Sequence, residues 1–312
     1  MLIFKTIELA DRQVIEKYLK QEDAHLLDYT FQILFLYQPI YDYQYAIGQD
    51  FLFLKTCYKG CHSMFFPMGD GDLKEAFRLL EEYAQSQSFE IQYYPLTPEH
   101  IKSMQQLFPE QFDFFPVRER FEYIYLKERL ATLKGRTLQA KRNNINHLTK
   151  NFEWNYEVMD DTHIEDCKKL EQAWNTAQGT IQNSDLELEN RIVMRCFEYY
   201  KTLDIAGGVI RLNGKISAFS LGCRLNSNTY LILFEKAHPN IRGLYSAISQ
   251  QFVLHNATSY TYINKEEDCG IPGLQIAKMQ YHPDILQEIY CGYSSSRREP
   301  SCLSSSLRLL YK

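Results

Sequence analysis

No stretch of this chain supplies the ~20 consecutive apolar residues that a membrane-crossing helix needs, so any contact with lipid is expected to be peripheral. The eight cysteines follow no regular spacing, and the N-terminus lacks a charged leader followed by a long apolar run. These two absences argue against a disulfide framework and predict a reducing, cytoplasmic setting. Cys57, Cys61 and His62 form the only close set of metal-binding residue types. They have no second ligand pair, so no metal is expected. Charge of one sign is lacking too: the formal net charge is -5, and nucleic-acid contact would need a local basic face.

Such a face is present. Between Val117 and Lys150, nine Lys or Arg stand against three Glu, with a plain solvated helix surface as the alternative. Tyr and Phe are abundant, at 23 and 19, which fits aromatic-rich sheets and cleft walls. At 312 residues the chain exceeds one typical core. Two domains are expected, 1–130 and 131–293, followed by a Ser- and Arg-rich tail, 294–312, expected to be mobile.

In the first half, residues 8–20 and 72–86 read as amphipathic helices, with strands at 51–54, 63–67, 89–93, near 112 and at 121–126, and a short helix after Pro98. The second half is punctuated more strongly. A basic helix (136–149) leads to a strand (153–158), two helices (162–176 and 186–202) and three strands. Asn213-Gly214 is the two-residue turn of the hairpin between 207–212 and 215–221, and Asn226-Ser227-Asn228 turns into the strand 230–236. A helix (244–255), a strand (260–263), a helix from Pro272 and a last strand near 287–293 follow. The expectation is therefore a mixed α/β protein with two sheets flanked by helices.

The most informative segment is Tyr262 to Pro283, which joins a strand end, an acidic loop and a helix carrying a lysine. Leu274, Ala277 and Tyr281 recur at helical spacing and mark the expected buried face, and Lys278 falls on it. An ammonium facing inward needs a partner or a polar cleft, and Glu266, Glu267 and Asp268 lie just upstream. A structural ion pair is the alternative reading.

The β-α-α-β-β-β-α-β-α-β order of the second half resembles the GNAT acyltransferase fold, and the first half has the outline of a second copy. The segments Lys134–Asn146, Gly207–Phe219 and Asn264–Lys278 are similar to signature blocks of the phosphatidylglycerol lysyltransferase C-terminal-domain family. The resemblance implies a tandem GNAT-like core akin to the Fem-type transferases, which take an amino acid from aminoacyl-tRNA. Its characterised branch adds a many-helix membrane segment and transfers lysine to a lipid headgroup. This sequence shows no such segment, so the acceptor is left open: a small-molecule or headgroup amine or hydroxyl.

Acyl transfer needs a base for the nucleophile, donors for the oxyanion and a cradle for donor phosphates. Glu235, at the end of an apolar strand, is a candidate base or a grip for an acceptor amine. Lys278 is a candidate oxyanion or carboxylate partner, with Glu267 and Asp268 fixing it or holding an α-amino group, and Tyr262, Asn264, Glu266 and Tyr281 beside them. On the basic helix, Gln139, Arg142, Asn143 and Asn146 flank an apolar stripe, so Arg142 is a candidate phosphate clamp with Lys134 and Lys141 in support; capping of loop carbonyls is its alternative role. No permanently bound cofactor is expected. Of the Q/R-x-x-G-x-G/A loop that grips pyrophosphate in coenzyme-A-dependent GNAT proteins, Asn240–Tyr245 keeps only Gly243. Tyr245 replaces a small residue, and Arg242 is the possible compensation. The co-substrate expected is thus aminoacyl-tRNA, bound by its acceptor end, with acyl-CoA as the alternative and a non-catalytic ligand-binding protein as the third reading.

Overall fold

The computed structural model describes residues 1–178 and 184–295, so the expected tail lies, past its first two residues, outside the described residues. The chain divides into two units, Met1–Glu122 with the residues from Gln287 on, and Tyr123–Leu286.

The first unit runs β1 (Lys5–Thr6), α1 (Arg12–Glu22), α2 (Phe31–Leu36), α3 (Gln38–Tyr41), β2 (Gln44–Gly48), β3 (Phe51–Tyr58), β4 (Cys61–Met64), β5 (Met68–Gly69), α4 (Leu73–Ser86), β6 (Gln92–Leu96), α5 (Pro98–Leu107) and β7 (Phe112–Pro116). The Asp72 carboxylate caps α4 by accepting from the Lys74 N–H at 2.9 Å. Ala76, Phe77 and Leu80 then turn inward onto Phe51 and Phe53 of β3, a helix-on-sheet core of the expected kind. Thr97 and His100 close a reciprocal capping box on α5, with Pro98 in its first turn, where a missing N–H costs nothing.

The second unit runs β8 (Glu122–Leu126), α6 (Lys127–Thr132), α7 (Gln139–Asn151), β9 (Trp154–Val158), α8 (Asp161–Gln178), α9 (Ser184–Glu198), β10 (Ala206–Leu212), β11 (Lys215–Arg224), β12 (Thr229–Ala237), α10 (Leu244–Asn256), β13 (Tyr262–Glu267), α11 (Pro272–Met279) and β14 (Ile285–Gln287). Its sheet has the order β14-β8-β13-β12-β11-β10-β9. Asn213 and Gly214 both take positive φ, as a hairpin turn of this type demands. Helix α10 packs on one face, with Leu244, Ala247 and Ile248 against Ile210, Ala218 and Ala237.

One expectation needs correcting here. The last strand, foreseen near 287–293 in the second domain, is two strands in two sheets. β14 lies beside β8, whereas β15 (Tyr290–Ser294) pairs with β6 and β7 in the first sheet, whose order is β1-β2-β3-β4-β6-β15-β7. The reason is burial: Cys291 and Tyr293 fill a cluster with Val117. The change from the first unit to the second also falls at 122/123 instead of 130/131, because β8 begins the second sheet and its Tyr123 and Tyr125 belong to that core.

Candidate functional site

Strand β12 is apolar and buried from Tyr230 to Phe234. Phe234 faces Leu221 while Ile232 faces Gly222, so Leu233 is the extra residue of a bulge. Its parallel pairing with β13 covers three residues, from Thr229↔Tyr262 to Leu231↔Asn264. Beyond them the strands continue to Ala237 and Glu267 without pairing to each other, although β12 stays paired with β11 to its end. A bulge that re-aims a strand beside an unpaired edge is a common way to build a site.

Glu235 and Lys265 stand where the strands part. Lys265 Nζ lies 2.6 Å from Glu235 Oε2 and donates to Ser249 Oγ of α10 at 2.8 Å. Glu235 Oε1 is shielded from solvent and has no protein partner. The Tyr281 ring centroid is 5.1 Å from the same ammonium, and its hydroxyl meets those of Ser246 and Ser249. Burial raises the Tyr281 hydroxyl above its usual range, although Lys265 opposes the shift. From α7, Lys141 also reaches this ring, 4.2 Å from its centroid, and donates to Gln280 Oε1 at 3.1 Å. Burial, reinforced by Lys265, holds the Lys141 ammonium below its ordinary value, with Glu235 pulling the other way. The cluster thus offers a fixed carboxylate oxygen open to a proton, two cations and a chain of hydroxyls.

Lys278 occupies a different place. Its ammonium is buried beneath α11 and donates to the carbonyl oxygens of Lys265 and Glu267, which lie two residues apart and so on one edge of β13. Desolvation lowers its proton affinity, countered by Glu266 and Glu267. The expected inward face of α11 is split: Leu274 and Ala277 are exposed, whereas Lys278 and Tyr281 turn inward, with Gln275 half-buried beside them. Gln275 approaches Asp268 Oδ2 at 3.5 Å. Asp268 is buried and braces the loop, accepting from Tyr123 Oη at 2.5 Å and from the Gly270 N–H at 2.9 Å. Asn264, fully buried, accepts from the Glu266 N–H at 2.7 Å and supports positive φ at Glu266. Glu267 has Cys269 Sγ 3.7 Å from its Oε1, and Tyr262 is half-buried at the start of β13.

On the basic helix the capping alternative describes Arg142, whose guanidinium donates to the Leu133 carbonyl and, at 2.7 Å, to that of Gly135. Lys134, Gln139, Asn143 and Asn146 are exposed. Arg242 donates to Asn144 Oδ1 at 3.0 Å. Gly243 has φ +95° and packs so closely on α7 that a methyl group would collide with the Asn144 carbonyl. Of the residues named from sequence, the structure therefore gathers Glu235, Lys141 and Tyr281 into one cluster, and Tyr262, Asn264, Glu266, Glu267, Asp268 and Lys278 into the loop that shapes β13. Lys265, Ser246 and Ser249 were missed. Their signals were a lysine inside a short strand and two serines three apart on an otherwise apolar helix face.

Comparison with known proteins gives the family and the fold. The family described as phosphatidylglycerol lysyltransferase, C-terminal, matches residues 21–293. An uncharacterised protein of Mycoplasmoides gallisepticum is 24% identical over 174 residues, so the match spans only 54% of that curated relative and 54% of this chain. A conserved protein of unknown function from Bacteroides thetaiotaomicron superimposes with a TM-score of 0.91 at 33% identity, over 95% of this chain and 100% of that one. L-PGS from Bacillus licheniformis gives 0.68 at 14%, covering 97% and 98%, and FemX gives 0.62 at 10%, covering 94% and 97%. The mixed two-sheet fold is the GNAT-like, Fem-type one of these neighbours. By its match along nearly the whole described chain, the protein belongs to the phosphatidylglycerol lysyltransferase C-terminal family.

Proposed function

We propose that the chain is a transferase that moves an aminoacyl group from aminoacyl-tRNA onto an amine or hydroxyl, with the parting of β12 and β13 as its reaction centre. The observation that carries this reading is Glu235: one carboxylate oxygen is held by Lys265 at 2.6 Å, and the other is shielded and without a protein partner. A carboxylate held in that way keeps its orientation and takes the proton of an attacking nucleophile. The acceptor nitrogen or oxygen bonds to the ester carbonyl carbon, and its proton passes to Glu235 Oε1. The carbon–oxygen bond to the ribose then breaks, and Glu235 returns the proton to the departing hydroxyl. Lys265 makes two hydrogen bonds with an ammonium that has three donors, so its remaining N–H is available to the oxyanion.

The family description and the fold shared with L-PGS and FemX support an aminoacyl donor. So does the turn Asn240–Tyr245, which keeps only Gly243 of the loop that grips pyrophosphate in coenzyme-A-dependent GNAT proteins. The setting proposed is the cytoplasm, where charged tRNA is available; among the described residues no helix is long and apolar enough to cross a membrane. The test is to incubate the full chain with labelled lysyl-tRNA and a panel of amines and hydroxyl compounds, beside Glu235→Gln. The expected result is donor consumption above the water rate, cut by about 100-fold or more in a variant that still folds, with its melting temperature lowered by loss of the Lys265 ion pair. Consumption of acyl-CoA alone would overturn the donor. A rise in melting temperature without turnover would make the chain a ligand-binding protein.

A further inference from the structure

Strand β11 lies between β10 and β12, and its side chains alternate between the two faces of the sheet. On the face that α10 covers, Ala218 stands opposite Ala237 and Ser220 opposite Glu235. Directly paired side chains on one face have Cβ atoms about 4.5–5.5 Å apart, so Ser220 adjoins the carboxylate assigned above as the base. Ser220 is 0% exposed. Among the described residues its Oγ has no hydrogen-bond partner, and neither has Glu235 Oε1. A hydroxyl buried without a partner is destabilising, and buried polar groups left in that state are few.

The neighbours of Ser220 are already committed. Across β10 it faces Gly208, where a Cβ would collide with the Tyr156 hydroxyl. That hydroxyl donates to Asn256 Oδ1 at 2.5 Å. Above the sheet, Ser249 Oγ of α10 accepts from the Lys265 ammonium at 2.8 Å, and the same ammonium holds Glu235 Oε2 at 2.6 Å. The group beside Ser220 that still lacks a partner is Glu235 Oε1. A carboxylate oxygen only accepts, whereas a serine hydroxyl both donates and accepts. One polar atom between the two, giving a hydrogen to the carboxylate and exchanging a hydrogen bond with the hydroxyl, completes both. An amine nitrogen or an alcohol oxygen has that capacity and keeps a lone pair for attack.

We propose that Ser220 is an acceptor-binding residue: its hydroxyl and Glu235 Oε1 together seat the nucleophilic atom, whose lone pair is then turned toward the donor ester while Glu235 takes the proton. This deepens the transferase reading and rests on it; no bond forms or breaks beyond those of the transfer itself. The test compares the full chain with Ser220→Ala and with the control Ser217→Ala, whose hydroxyl on the same strand already donates to the Lys215 carbonyl at 3.1 Å. Transfer from lysyl-tRNA to the best acceptor of the panel is followed, together with the melting temperature, alone and with ethanolamine as a probe carrying one primary amine and one primary hydroxyl. Ser220→Ala should melt at or above the temperature of the unaltered chain, because it removes a buried hydroxyl that no protein group satisfies. Its KM for the acceptor should rise about five- to tenfold at an unchanged KM for lysyl-tRNA. Ser217→Ala should alter neither KM. Ethanolamine should raise the melting temperature of the unaltered chain but not that of Ser220→Ala. A lower melting temperature in Ser220→Ala with an unchanged acceptor KM would make the serine a brace of the strand and overturn the proposal. An unaltered chain that transfers nothing sinks the reaction, and the probe then decides the seat by itself: loss of the shift in Ser220→Ala supports it, and an equal shift in both chains, or none, overturns it.

Discussion

Replacing Lys278 with methionine separates an architectural lysine from a chemical one. The ammonium satisfies two carbonyl oxygens, those of Lys265 and Glu267, and methionine retains the stem but donates nothing. A buried acceptor left unsatisfied costs about 1–3 kcal/mol, so two cost about 2–6 kcal/mol. Against this, the variant no longer desolvates an ammonium, and sulfur replaces nitrogen in the space, which returns about 1–2 kcal/mol on the scale of a buried methylene or two. The net expectation is destabilisation by about 1–4 kcal/mol, read as a lower urea midpoint at unchanged slope. The pH dependence has a definite sign. Desolvation lowers the Lys278 proton affinity in the folded state below the ordinary 10.5, so in the window between that lowered value and 10.5 the unfolded chain binds more protons. Stability from this group therefore rises with pH across the window and is flat below it. Unfolding curves at neutrality and near pH 10 should show a rise in the unaltered chain that Lys278→Met lacks. An unchanged midpoint together with abolished transfer would refute the architectural role and return Lys278 to the chemistry.

Two further substitutions probe the frame around the site. Gly243→Ala meets both the left-handed backbone, at φ +95°, and the Asn144 carbonyl; it should cost about 2 kcal/mol or more, and a melting temperature within a degree of the original would contradict the α7–α10 contact. His163 lies 2.9 Å from Glu157 Oε2 and 2.8 Å from Asp160 Oδ1. Burial works against its proton, but these two bonds raise its affinity above the ordinary 6.5. A raised folded value means stabilisation fully present below 6.5 and lost as pH climbs through the folded value. The stability gap between the unaltered chain and His163→Gln, measured by urea titration, should accordingly be wider at pH 5 than at pH 8, and a gap that widens toward alkaline pH would refute the ion-pair assignment.

Much of the second unit was legible because its turns are chemically specific. Asn213-Gly214, the Asn226–Asn228 turn and Pro272 leave few choices for where strands and helices begin. The region from 24 to 48 carries Pro39 as its one such mark, in the first turn of the short α3, and Phe31–Leu36, buried on every side, shows no period from which a helix face can be read. Nor could the sequence place β15 between β6 and β7, since pairing across some two hundred residues leaves no local pattern. The site divides in the same way. Glu235 stood out as a charge ending an apolar strand, while Lys265 looked like an ordinary charged strand residue until its partner, thirty positions earlier, came within 2.6 Å.

Helix α11 gives the sharpest case. Periodicity put Leu274, Ala277, Lys278 and Tyr281 on one face, and the structure divides them, turning Lys278 and Tyr281 inward and exposing Leu274 and Ala277. The choice was made by β13, two of whose backbone carbonyls on one edge are met by the Lys278 ammonium. Leaving two such acceptors dry costs more than exposing a leucine and an isoleucine, because a buried orphan carbonyl loses its whole hydration whereas a half-exposed apolar side chain forfeits only part of its transfer energy. The helix therefore turns its amine and amide inward. A period of apolar residues does not settle the inward face of a short helix when the hydrogen-bond demand of the neighbouring backbone calls a polar side chain in.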